Sequence, residues 1–98
     1  MDDVNDYSTP GLNVPDEAAK IVFFYVKEEL EHQGRNAEQF KDTDVYVVWS
    51  SKVLQNWKAL VSTTLVDGMY YEVTYNGDFN ETYIDAYKKI NNVTIRPL

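Results

Sequence analysis

The stretch MYYEVTYNGD, residues 69–78, decides how the rest of the chain is read. Met69, Tyr71, Val73 and Tyr75 fall on one parity, Tyr70, Glu72 and Thr74 on the other. Alternation with period two, filled with aromatic and β-branched residues, is the pattern of a strand with one face on a core. Asn76-Gly77-Asp78 then gives a tight-turn signal into ETYIDAYKK (81–89), and Asp67-Gly68 gives another just before Met69. The segment 81–89 also permits a helix, because Tyr83, Tyr87 and Ile90 would align on one side. A strand is favoured by the turn before it and by its β-forming residues.

Upstream, VYVVWSS (45–51) and WKALVSTTLV (57–66) read as two more strands joined through SKVLQN. NNVTIRPL (91–98) is a tail with a short extra strand expected around Val93 and Ile95. PDEAAKIVFFYVKEELEHQG (15–34) is the single clear helix. Asp16 and Glu17 complement the dipole in its first turn, and Gly34 stops it after Gln33. On a helical wheel Ala19, Val22, Val26 and Leu30 share a face flanked by Ala18, Phe23 and Tyr25. Lys20, Lys27, Glu28 and Glu31 lie opposite, with Phe24 among them. Phe40 is expected to tuck back onto the domain. Sequential strands with short turns pair with their neighbours. The expected fold is therefore α+β: one N-terminal helix packed on a four-stranded antiparallel meander, a cystatin-like arrangement. Residues 1–15 read as a flexible acidic arm and 16–98 as a single domain, which is all that 98 residues support.

Alternation also sorts the sheet into two faces. Val45, Val47, Trp49, Ala59, Val61, Met69, Tyr71, Val73, Ile84 and Ala86 are expected to meet the helix. The other face carries Tyr46, Val48, Lys58, Leu60, Ser62, Thr64, Tyr70, Glu72, Thr74, Tyr83, Asp85 and Tyr87. That set is too polar for a core and unusually aromatic for a surface. Tyrosine-rich mixed surfaces are typical of protein interfaces. The competing explanation is that tyrosine and threonine are simply good strand residues.

The composition narrows the chemistry. The formal net charge is −7, which disfavours direct binding to nucleic acid or anionic membranes. Acidity can equally serve only to keep a small protein in solution. There are no cysteines, so disulfides, thiolate nucleophiles and cysteine zinc sites are excluded. The longest apolar run, Ile21 to Val26, is far short of the ~20 residues that span a bilayer. The N-terminus has no signal-peptide pattern. His32 is the one histidine and lies at a helix end among charges, without a serine elbow to serve. Glu72 and Asp85 read as an acidic patch rather than an acid–base pair, and no calcium or phosphate loop is present. No catalytic, metal or cofactor residues are expected, and the chain is not expected to be an enzyme.

The stretch from Asp44 to Lys89, above all LQNWKALVSTT and GMYYEVTYNGD, resembles a family of small proteins encoded by phages and prophages of Gram-positive bacteria. The similarity is weaker over Ala18 to Leu30, and the N-terminal arm departs from it. The resemblance implies a bacterial host cytoplasm and carries no assigned chemistry. Small acidic phage proteins often inhibit host defence, some by filling the nucleic-acid groove of a CRISPR nuclease. The expected function is thus a non-enzymatic module that binds a host protein, of the class of nucleic-acid-handling defence enzymes. Tyr46, Tyr70, Glu72, Tyr83, Asp85 and Tyr87 are its expected contacts on the sheet. Phe24, Glu28 and Glu31 form a second surface on the helix. The alternative is self-association through the tyrosine face, as a homodimer or larger accessory assembly. A small hydrolase acting on a nucleotide signal ranks last.

Overall fold

The computed structural model of the protein describes residues 13–98. The arm expected over 1–15 lies outside the described residues as far as residue 12, and its last residues belong to the helix. α1 runs from Val14 to His32. The Asn13 side chain caps it, accepting from the Asp16 amide at 3.0 Å. Such a cap is worth about 1 kcal/mol. Pro15 sits in the first turn, where its missing N–H costs nothing. At the other end Gly34 takes the left-handed conformation at φ +74°. The Gly34 amide donates to the Glu31 carbonyl and the Arg35 amide to the Leu30 carbonyl. This pair of bonds is the glycine-terminated helix stop that the sequence anticipates.

The four strands are β1 (Val45–Val53), β2 (Asn56–Thr63), β3 (Met69–Asn76) and β4 (Glu81–Lys88), in spatial order β1-β2-β3-β4. All neighbours are antiparallel. The fold is the expected α+β meander, and 81–88 is a strand. β1 is longer than expected, because the β1–β2 turn is only Leu54-Gln55, with Leu54 at φ +56°. Residues 89–98 contain no strand. The extra strand expected near Val93 and Ile95 is absent, and Asn91-Asn92 interrupts the run, the Asn92 amide donating to its neighbour's side chain.

α1 packs chiefly on β1 and β2 and only marginally on β3. Its buried stripe is Val14, Ala18, Val22, Val26 and Leu30, spaced every four residues. Ala18 rather than Ala19 is therefore the centre of the face. Below it lie Trp57, Ala59 and Val61 from β2, and Tyr71, Val73 and Tyr75 from β3. Burying side chains of this size contributes about 1.5–3 kcal/mol each. Phe40 is buried and stacks on Phe23 with centroids 5.5 Å apart, as expected. Ala86 departs from expectation. It shares the helix side of the sheet but is exposed, because α1 sits over β1 and β2 and makes little or no contact with β4.

The second departure is a β-bulge. Val47 faces Val61, but Trp49 faces Leu60, so Val48 is the extra residue. One inserted residue reverses the side of everything beyond it. Trp49, Ser51 and Val53 therefore look to solvent, whereas alternation places Trp49 in the core. Trp49 is 43% exposed.

At one end of the sheet the two outer hairpin turns dock. Gln55 Nε2 donates to the Asp78 carboxylate, and the Gly77 amide donates to Asn56 Oδ1 at 2.8 Å. A Cβ on Gly77 would overlap the Gln55 carbonyl and come within 2.7 Å of the Gln55 Cβ. Glycine is required here by close approach of backbone. Gly77→Ala should destabilise the fold by about 1–3 kcal/mol, read as a Tm lowered by roughly 4–8 °C per kcal/mol.

Tyr71 provides a second test. Burial, reinforced by the charge of Asp67 and the proximity of Tyr25 and Glu29, pushes its phenol from 10.0 up to about 12. Between those values the folded protein keeps a proton that the unfolded chain has lost, so stability falls as pH rises through that window. Denaturation midpoints measured across it should decline, and Tyr71→Phe should remove part of the decline.

Candidate functional site

The strand register arranges the solvent face of the sheet in rows. The first is Tyr46, Ser62, Tyr70 and Tyr87, the second Trp49, Leu60, Glu72 and Asp85, and the third Ser51, Lys58, Thr74 and Tyr83. All six expected sheet residues are thus brought to one face. Tyr46, Tyr83 and Tyr87 are exposed, while Tyr70 and Glu72 are half-buried between their neighbours. Ser62 is buried and satisfied, its hydroxyl donating to the Met69 carbonyl at 2.8 Å.

The charges on this face are unevenly matched. Lys58 Nζ lies 3.6 Å from Glu72 Oε2, a diagonal cross-strand pair open to water. Exposed pairs of this kind contribute about 0–1 kcal/mol. Asp85 stands directly across from Glu72 with no cation in register between them. At the β4 margin the Tyr83 hydroxyl donates to the Glu81 carboxylate, and that bond raises the Tyr83 phenol above its ordinary value. The bond also fixes the direction of an otherwise exposed ring.

The three helix residues form a separate surface. Phe24, Glu28 and Glu31 follow one exposed stripe of α1. Phe24 is 60% exposed and meets Phe23 edge-on at 5.3 Å. This stripe points away from the sheet, so the two expected surfaces stand back to back on either side of the domain. His32 is exposed in the last turn of α1.

Sequence reasoning missed Trp49 and the groove beside it. A groove of about 520 Å³ at the turn end of this face is lined by Trp49, Ser51, Val53, Lys58, Thr74 and Asn76, among others. The signal that hides it is the run Tyr46-Val47-Val48-Trp49, which has no polar residue to mark the phase of the strand. The face therefore presents phenols, an indole, the carboxylates of Glu72, Asp85 and Glu81, and one amine. Among the described residues no group of three His, Cys, Asp or Glu is placed to hold a metal ion. Also among them, no helix is long and apolar enough to cross a membrane.

Residues 15–97 match the family described as Family of unknown function (DUF6275). The chain belongs to this family. The match is wider than the resemblance seen in the sequence, taking in all of the sheet, nearly all of α1 and most of the tail. No curated protein and no solved structure matches the chain. The geometry of this DUF6275 domain is consequently the main guide to its role.

The two tryptophans of the DUF6275 chain offer a direct check on the bulge. Trp57 is buried and stacked on Tyr75 at 5.8 Å, whereas Trp49 is open. Trp57→Ala should cost about 3–5 kcal/mol, and Trp49→Ala about 1 kcal/mol or less. In Trp57→Phe the remaining fluorescence should be readily quenched by acrylamide, and in Trp49→Phe it should be shielded.

Proposed function

We propose that this protein is a non-enzymatic interaction module that uses the solvent face of its sheet to occupy a basic surface on another protein. The observation that carries the reading is the registered array of Tyr46, Trp49, Tyr70, Tyr83 and Tyr87 around Glu72 and Asp85. Aromatic rings on a rigid sheet supply contact area at little entropic cost. A net charge of −7 and an acidic centre favour a partner rich in lysine and arginine and speed its encounter. A nucleic-acid-binding groove has that chemistry. The resemblance to phage-encoded proteins makes a host defence nuclease, such as a CRISPR effector, the class of partner that fits, and the host cytoplasm the place. Inhibition would follow from exclusion: while the groove holds the sheet it cannot hold its nucleic acid. The helix stripe of Phe24, Glu28 and Glu31 remains free for a second contact.

The test is capture of a purified defence nuclease on the immobilised protein, with its DNA cleavage measured in parallel. Binding should weaken with salt and compete with DNA. Replacing Tyr70 and Tyr87 by Ala should cost about 2 kcal/mol for each ring that acts as an anchor, roughly thirtyfold in Kd, with the fold intact by circular dichroism. Unchanged binding by that variant would show that the face is not the contact.

A further inference from the structure

β4 is an edge strand of an unusual kind. β1, at the opposite edge, is broken by the Val47–Val48 bulge, a device that blunts edge pairing. β4 pairs with β3 without interruption from Glu81 to Lys88, and it contains neither bulge nor proline. The Lys89 amide donates to the Gly68 carbonyl at 2.7 Å, which fixes the phase of the ladder. By alternation Tyr83, Asp85 and Tyr87 turn their backbone groups to β3, and Thr82, Ile84, Ala86 and Lys88 turn theirs outward. The same four residues carry the side chains on the helix side of the sheet, where Ile84 packs partly against the core and Thr82, Ala86 and Lys88 are exposed. Directly beyond β4, the stretch 89–98 holds Ile90, Val93, Ile95 and Leu98, every one exposed.

We propose that β4 is the dimer interface of this protein, pairing antiparallel with β4 of a second copy about a two-fold axis at Ile84. Charge and ladder length together select the occupant and the register, since axes at Thr82 or Ala86 would pair only residues 81–83 or 84–88 of the strand. An axis at Asp85 would oppose Asp85 to its own copy, and an axis at Tyr83 would oppose Glu81 to Asp85. Like charges directly across a ladder are destabilising. The axis at Ile84 sets Ile84 against Ile84, Thr82 against Ala86, Tyr83 against Asp85 and Glu81 against Tyr87. No like charges meet, and each carboxylate faces a phenol. The strand is self-complementary in this register, which is what an isologous contact requires. The pairing would join the two meanders into one continuous sheet. A strand ladder alone falls short of the ~1,200–2,000 Å² typical of stable interfaces. The exposed apolar side chains of 89–98 follow the strand in sequence and offer additional surface. The family match runs to residue 97, so strand and tail belong to one matched unit. The proposal uses the strand edge rather than the sheet face and does not depend on the function proposed above.

Sedimentation equilibrium from about 1 µM to 1 mM should show a monomer–dimer equilibrium. Ala86→Pro removes only an outward-pointing N–H from an exposed edge position, a site where proline is tolerated. It should leave a folded chain and raise the dimer dissociation constant at least about tenfold. The protein has no cysteines. Ile84→Cys should therefore form a disulfide-linked dimer under a mild oxidant, and Val66→Cys, fully exposed in the β2–β3 turn and away from the two-fold axis, should not. A single-chain mass throughout the range would overturn the proposal. So would a dimer that survives Ala86→Pro, leaves Ile84→Cys unlinked and dissociates when Tyr70 and Tyr87 are changed to Ala.

Discussion

One helix cannot cover four strands. An α-helix with its side chains is about 10–12 Å across, and four strands about 4.8 Å apart present a face roughly 19 Å wide. The structure resolves the mismatch by placing α1 over β1 and β2, with β3 at its margin. The core follows from that choice. Its strand residues are Trp57, Ala59, Val61, Tyr71, Val73 and Tyr75, with nothing fully buried from either edge strand. β4 is then left as a strand held mainly by its ladder to β3, with Ile84 alone in it packed partly against the core. The exposed faces of the molecule are set by this shortage of cover as much as by the residues that line them.

Much of the fold is legible from the sequence because local and global signals agree. The alternation of Met69 to Tyr75, the turns at Asp67-Gly68 and Asn76-Gly77, and the glycine after Gln33 each have one structural reading, and each is realised. The errors have a common physical form. Trp49 is misplaced because a bulge changes the phase of β1 inside an apolar run, and a period-two pattern carries no mark of an inserted residue. Ala86 is misplaced because parity tells which side a residue is on but not whether another element lies there. The six sheet residues of the candidate surface are found together because β3 and β4 keep their phase throughout and Tyr46 precedes the bulge in β1. Trp49 joins them only when the register is known.

The sheet face combines two properties that usually trade against one another. Its aromatic rings favour burial, while Glu72 and Asp85 resist it unless a cation accompanies them. A partner made only of apolar side chains would leave those carboxylates desolvated and unpaired. A purely polar partner would gain little from the rings. Arginine meets both demands, since its planar guanidinium stacks on aromatic rings and bonds carboxylates in the same plane. On the function proposed above, the mixture would select for partner chemistry.

The meander order gives β4 a further property. Each strand pairs only with its sequence neighbours, so losing the last strand breaks one ladder and leaves the pairing of β1, β2 and β3 intact. With so little burial, β4 and the tail beyond it form the natural unit of local opening, at a cost well below that of global unfolding. Such a strand can leave and rejoin while the core stays closed. The free energy of that local equilibrium, rather than the overall stability of the protein, would then govern how readily the edge exchanges its pairing.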